Sequence, residues 1–383
     1  MTGLSSQTIG DLGAIAEHLT EDHAAWELPG MAAVLVVDGA GVWSGGFGRA
    51  NEAGAPATAD TCWRVAAVGQ PVLAAAMGHL AEAGVLALDD PLDRWLPEAA
   101  ALGTPAGDST SDRPLTLADC AAHTTGLPPM PPMAAADLSA LRFPSWPQLA
   151  ADLSAVRSSD PGPAGPRFSY SNLAWALLAQ ALTRAAGRPI EDYATEHILR
   201  PLGMARTGWA PLNESAGPRR ADEDAQPAVH ATGYGAFGDP PIPAPTPQLG
   251  AFRAPWGLWT TASDMARFLA WQLSSDGRQV GDGDGPRTAA APLTVDMLRT
   301  LQTPEVIEAD KHSGATPGWL IGLTAAGPTL FHGGADPGFA AYAALSPRLG
   351  LAAFVAANRA SNPEALGEMA HGMLGFARET LGR

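Results

Sequence analysis

The chain has 383 residues, 46% of them hydrophobic and 16% charged, with a formal net charge of −16. Such a composition supplies a large buried core and excludes an extended disordered protein. The acidic balance excludes a nucleic-acid or anionic-membrane surface, either of which needs basic patches. Cys62 and Cys120 are too few for a disulfide framework and lack metal-ligand spacing, so both read as core residues. No stretch is apolar for the roughly 18 residues a membrane span requires. The N-terminal Met1–Gln7 lacks the basic and apolar regions of a secretory leader, which makes the expected location cytoplasmic.

In chain order, residues 8–27 carry Ile9, Leu12, Ile15 and Leu19 at helical spacing and predict one amphipathic helix. Met31–Val37 and Val42–Gly48 are strand-like runs about Asp38-Gly39, a hairpin signature. The apolar stretch Cys62–Gln70 then runs into a helix entered at Pro71 and ending near Glu82–Gly84, proline being suited to the first helical turn. Two turn-rich connections, Leu86–Leu92 and Gly103–Pro114, lead to a short helix capped near Thr116 and running to His123. Residues 128–167 read as loops and short helices. Phe168–Asn172 opens a buried helix closed by Gly187, and the Pro- and Gly-rich region 205–255 reads as a long loop over a pocket or a flexible connection. A further helix starts around Thr261 and Ser263. Four strands follow, over Trp319–Leu323, Thr329–His332, Ala340–Leu345 and Leu351–Asn358, with a terminal helix from Pro363 to Leu381.

Strands at both chain ends with helices between them predict an α+β fold: one antiparallel sheet built from both ends, flanked by helices, with an inserted mainly helical region. The expected organisation is one domain over 1–383. Residues 1–65 and about 256–383 would form the sheet part, and about 66–255 the helical and loop part.

A set of ordered landmarks gives the chain its resemblance to a known family. They are Gly46-Phe47-Gly48, Trp63-Arg64-Val65-Ala66, Leu86–Leu92, His123-Thr124-Thr125-Gly126-Leu127, Tyr170-Ser171-Asn172, Gly257–Thr261, and His332-Gly333-Gly334 before Pro337-Gly338-Phe339. In this order they resemble the serine β-lactamase and penicillin-binding-protein superfamily, in its class C, esterase and D-aminopeptidase branch. The resemblance implies a β-lactamase/transpeptidase-like fold and three motifs: Ser-x-x-Lys, Tyr-x-Asn and Lys/His-x-Gly. Tyr170–Asn172 and His332–Gly334 match the second and third. The register set by Trp63–Ala66 and Pro71 places Ala67 at the serine position and Gln70 at the lysine position. No serine lies between Ser44 and Ser109, and Lys311 is the single lysine of the chain.

Acyl transfer through a covalent intermediate needs an activated hydroxyl, which Ala67-Val68-Gly69-Gln70 does not provide. The residues that remain imply a different chemistry. Backbone N–H groups of Ala67 and Ala335, beside Gly334, would form an oxyanion hole. Tyr170, Asn172 and His332 are the candidate catalytic side chains, with His332 expected to titrate near neutral pH. Gln70, Trp259 and Phe339 complete the expected binding residues. Trp146, Trp256, Trp319, Phe252 and Tyr342 are expected near the pocket or in the core, and His123 is read as structural. The site suits noncovalent enolisation, elimination, isomerisation or ring closure on a small hydrophobic carbonyl compound, in a repurposed enzyme of small-molecule metabolism. A non-catalytic ligand-binding protein and an inactivated variant of a serine esterase stay open beside it. In the bland alternative, Tyr170, Asn172 and His332 merely pack and hydrogen-bond. No metal or cofactor is expected, because the histidines are scattered without ligand spacing, and the oligomeric state is left open.

Overall fold

The computed structural model describes residues 5–102, 113–134, 137, 139–157, 167–209, 229–235, 241–276, 291–308, 313–324, 327–359 and 363–383. Its centre is an eight-stranded antiparallel sheet. In chain order the strands are β1 (Gly30–Val37) and β2 (Ala40–Gly48), two strands of a second sheet, β3 (Trp63–Arg64) and β4 (Gly208–Trp209), and its third strand β5 (Leu258–Thr260). The main sheet continues with β6 (Val306–Glu308), β7 (Ser313–Thr316), β8 (Trp319–Thr324), β9 (Gly327–Asp336), β10 (Phe339–Ser346) and β11 (Leu351–Ala357). The order across it is β2-β1-β11-β10-β9-β8-β7-β6, so the sheet is built from both ends of the chain. The small sheet runs β3-β5-β4.

Local chemistry sets the turns. Asp38 and Gly39 both have positive φ (47° and 78°), as a two-residue turn between right-twisted strands requires. Pro317-Gly318 and Pro337-Gly338 each place proline before a glycine at φ 97°, reversing β7 into β8 and β9 into β10.

Both faces of the sheet are covered. Along β1, Ala32, Val34 and Val36 point into a core shared with the helices Gln70–Glu82, Asn172–Ala186 and Ala262–Gln272. Met31, Ala33, Leu35 and Val37 point the other way, onto the terminal helix Pro363–Leu381 and the N-terminal helices. The whole strand is buried, with no polar face, because each side meets a helical layer. Cys62 and Cys120 are free and buried in these surroundings.

The structure corrects the first helix. Residues 8–27 are not one element but two helices, Ser6–Gly13 and Ile15–Ala25, meeting at Ala14. Leu12, Ile15 and Leu19 all still bury against the sheet. Ser5 caps the first helix, accepting from the Thr8 N–H at 3.1 Å. The helix at Thr116 is Leu117–Ala121, closed at its start by a reciprocal Thr116/Asp119 capping box. Within 128–167 lies a three-turn helix, Trp146–Arg157. Most of the Gly103–Pro114 connection and much of the 205–255 region lie outside the described residues. The described part of the latter contributes β4 and a short helix, Arg253–Trp256. Among the described residues no helix is long and apolar enough to cross a membrane.

Candidate active site

Three segments converge on β9. The first is the turn Ala66–Gly69, one turn of 3-10 helix leading directly into the helix Gln70–Glu82. Ala66 sits at φ 45°, a left-handed conformation that costs a non-glycine residue on the order of 1–2 kcal/mol and persists only where the surroundings impose it. The surroundings are tight: a Cβ on Gly334 would lie 2.2 Å from the Val65 carbonyl oxygen and 3.0 Å from the Ala67 nitrogen. Glycine at 334 is therefore a requirement of β9 lying against the turn.

The second segment is Tyr170-Ser171-Asn172. Ser171 caps the helix Asn172–Ala186, accepting from the Ala174 N–H at 3.1 Å while its hydroxyl donates to the Pro128 carbonyl at 2.7 Å. Tyr170 is stacked on His123, ring centroids 4.2 Å apart. The Ser171 N–H lies 3.0 Å from His123 Nδ1 and the Trp175 indole nitrogen 3.2 Å from its Nε2; the neutral ring, with a single N–H, accepts from one of them. Burial, and then the neighbouring His332, hold it far below the usual histidine pKa, at about 3. It forms a fixed plate under Tyr170. Asn172 opens onto the same space, its amide oxygen accepting from the Trp256 indole at 3.1 Å.

The third segment is β9 itself. His332 is 1% exposed and points to the inner face. Its Nδ1 lies 2.8 Å from the Gly333 carbonyl oxygen and its Nε2 3.0 Å from the Gln70 side-chain amide, whose other end is 3.4 Å from the Tyr170 hydroxyl. Gln70 thus bridges the tyrosine and the histidine. Burial lowers the His332 pKa to about 4 and raises that of Tyr170 to about 12, so both are neutral at physiological pH. This corrects the expectation that His332 titrates near neutrality: the ring is buried away from water, and among the described residues no carboxylate pairs with it. A neutral imidazole has one N–H. With that proton donated from Nδ1 to Gly333, Nε2 accepts, and the interchangeable ends of the Gln70 amide orient with NH2 toward His332 and oxygen toward Tyr170.

These groups border a cavity of about 690 Å³ lined by Ala67, Tyr170, Asn172, Trp256, His332 and Gly333–Ala335. The cavity continues around the edge of β9 to Leu320, Phe331, Tyr342 and the terminal-helix residues Glu364, Gly367, Glu368 and His371. Ala67, Tyr170, Asn172, His332, Gly334 and Ala335 are therefore brought together. Gln70 is present but fully buried, reaching the cavity only through Tyr170 and His332.

Trp259 and Phe339, expected on the binding surface, are not in the cavity wall. They pack edge-to-face at 5.5 Å and cover the Arg64 guanidinium, which lies 5.7 Å from the Trp259 ring and 4.9 Å from Phe339. Arg64 ion-pairs with Asp336 at the end of β9, both side chains 5% exposed, and donates to the Pro337 carbonyl at 2.8 Å. The two aromatics thus serve an anchor behind the site. Phe252 and Trp319 are core, and Trp146 packs against it, whereas Trp256 and Tyr342 reach the cavity. Sequence reading missed the contribution of the terminal helix. Glu364, Glu368 and His371 at i, i+4 and i+7 share one helical face, a signal that acquires meaning only once that helix is placed beside β9.

Comparisons with known proteins agree with this architecture. The family described as Beta-lactamase matches residues 15–377. The chain is 28% identical over 308 residues to D-alanyl-D-alanine-carboxypeptidase/endopeptidase AmpH of Escherichia coli (strain K12), covering 78% of this chain and 71% of that protein. It is 30% identical over 271 residues to "Putative beta-lactamase-like 1" of Homo sapiens, covering 69% of this chain and 50% of that protein. Among solved structures, the octameric penicillin-binding protein homologue from Pyrococcus abyssi superposes with a TM-score of 0.76 at 21% identity, covering 96% of this chain and 77% of that one.

Proposed function

Because the chain belongs to the Beta-lactamase family, a family with hydrolase members such as AmpH, we propose that it uses the family's cavity on a small hydrophobic carbonyl compound without a covalent acyl-enzyme. In this reading Ala67 and Gln70 stand where relatives carry the nucleophilic serine and its lysine. A methyl and an amide supply neither nucleophile nor base. The single observation that carries it is the bridge Tyr170–Gln70–His332. Where a lysine would place a charge, a neutral amide joins the two remaining motifs into one hydrogen-bonded chain.

The chemistry follows from what each group can do. The N–H groups of Ala67 and Ala335 would receive a carbonyl oxygen and stabilise negative charge as it develops there. Tyr170 acts as the proton donor: its contact to Gln70 is long at 3.4 Å, so the hydroxyl is lightly held and can turn to a ligand oxygen. Asn172 orients the ligand from the opposite wall. His332, saturated by Gly333 and Gln70, positions the amide. The α-proton leaves to water in the open cavity while Tyr170 protonates the oxygen, so such a set favours enolisation and related proton transfers over amide hydrolysis.

The test is deuterium exchange α to the carbonyl across a panel of short hydrophobic ketones, lactones and esters. Tyr170→Phe should lower exchange by about 100-fold or more, and His332→Gln should lower it too. If neither variant changes exchange, this pocket is not the catalytic site. In the double variant Ala67→Ser/Gln70→Lys, vigorous ester hydrolysis would favour a serine esterase inactivated at two positions.

A second reading has its own support. Tyr170 and His332 are both held neutral well away from pH 7, which suits a protein that binds its ligand without converting it. Saturable binding of a panel compound with no exchange and no product would establish that alternative.

A further inference from the structure

On the outer face of β9, Phe331 and the Tyr342 ring of β10 lie parallel, centroids 5.7 Å apart and planes within 5°. His371 of the terminal helix stands across both, at 6.1 Å from Phe331 and 5.6 Å from Tyr342 with interplanar angles of 68° and 63°. The three rings make a corner of π faces. Gly367 allows it, since a Cβ there would lie 2.9 Å from the Tyr342 ring. Glu364 and Glu368, both on exposed positions of the helix, border the same part of the cavity.

The corner is rich in negative charge and hydrogen-bond acceptors. The two carboxylates have no protons to give. His371 has Nδ1 2.9 Å from the Gly367 carbonyl oxygen, so its Nδ1–H is donated there. Tyr342 is 9% exposed, and its hydroxyl has no hydrogen-bond partner among the described residues. The hydroxyl opens onto the cavity, where it can donate or accept. A group that carries positive charge, donates hydrogen bonds and tolerates aromatic faces matches this lining of carboxylates, phenol and rings. Glu364, in the first turn, also offsets the positive end of the helix dipole, which would otherwise repel a cation.

We propose that the corner formed by Phe331, Tyr342, His371, Glu364 and Glu368 binds a protonated amine. The ligand would then be an amino-substituted carbonyl compound that wraps the edge of β9, its carbonyl on the inner face and its ammonium on the outer. That second statement rests on the reading of the inner face as a carbonyl site, whereas the amine pocket stands by itself.

The probe is butylammonium, titrated into the full chain and followed by calorimetry or by NMR shifts, with 1-butanol as the neutral control. Butylammonium should bind saturably and at least about tenfold more tightly than butanol. Glu364→Gln/Glu368→Gln should weaken it at least about fivefold, and Tyr342→Phe, which keeps the ring, about threefold. Tyr170→Phe should leave it unchanged. Equal binding of butanol, or indifference to the glutamine pair, would overturn the amine pocket. Weakening by Tyr170→Phe equal to that of the glutamine pair would place the amine on the inner face and likewise overturn it. Unchanged α-exchange in Tyr170→Phe with intact amine binding would sink only the carbonyl reading.

Discussion

Successive side chains of β9 leave the strand on opposite faces, and the two faces are equipped differently. His332 and Gly334 meet the Ala66–Gly69 turn, Gln70 and Tyr170 in a closed environment where the titratable groups are neutral. Phe331, one residue away, meets Tyr342, His371 and two carboxylates at an open edge. The difference teaches that a strand's period of two can divide one cavity between a neutral, hydrogen-bonding half and a charged half without any insertion in the chain.

The most severe way to break the contrast is to release the strand from its anchor. Arg64→Met leaves Asp336 buried without a cation, and unfolding in urea should show a loss of about 3–5 kcal/mol. A loss below about 1 kcal/mol would mean that the pair does not hold the end of β9.

Gly334→Ala acts on the inner face alone. The new methyl would meet the backbone oxygen of Val65, which cannot move without the turn, and the expected cost is about 2–3 kcal/mol. Butylammonium binding should survive in the folded protein. Gly367→Ala should do the converse, displacing the Tyr342 ring and weakening the amine while sparing α-exchange. If the two alanines had the same effect on both readouts, the faces would not be separate sites.

The smallest effect is one of pH. His332 has a folded pKa of about 4 against 6.5 when unfolded, so between these values the unfolded chain binds more protons. Stability therefore rises with pH through this window and is lost as pH falls from 6.5 toward 4, by on the order of 2–3 kcal/mol for this group. His123 adds a loss of the same sign. Urea midpoints at pH 7.5 and pH 5 should differ less in His332→Gln than in the natural chain. Identical differences would show that His332 is not held neutral.

How much of this was legible in the sequence depended on the range of the interactions. The hairpin at Asp38-Gly39, the cap at Thr116, the Gly187 stop and the terminal helix Pro363–Leu381 are encoded within a few residues, and each was readable. The break at Ala14 was not, because Leu12, Ile15 and Leu19 keep a helical spacing on either side of it. Short strands such as β3, β4 and β6 carry two or three residues and no periodicity. The motifs singled out Ala67, Tyr170, Asn172, His332, Gly334 and Ala335, which the fold gathers around one cavity. Trp259 and Phe339 were misread because an aromatic beside a pocket motif looks the same whether it faces ligand or the guanidinium behind it. The outer corner was invisible for a related reason: Phe331 and His371 lie 40 residues apart and meet only through sheet and helix packing.

Ala66 carries a last consequence. Its left-handed backbone is imposed by β9 pressing on the turn through Gly334, and neither residue 66 nor residue 67 offers more than a methyl in return. The geometry at position 67 is thus inherited from the scaffold and independent of the side chain it displays. For an evolving lineage this makes the position an interchangeable socket, where a reactive group can be added or removed by one substitution while the fold stays the same.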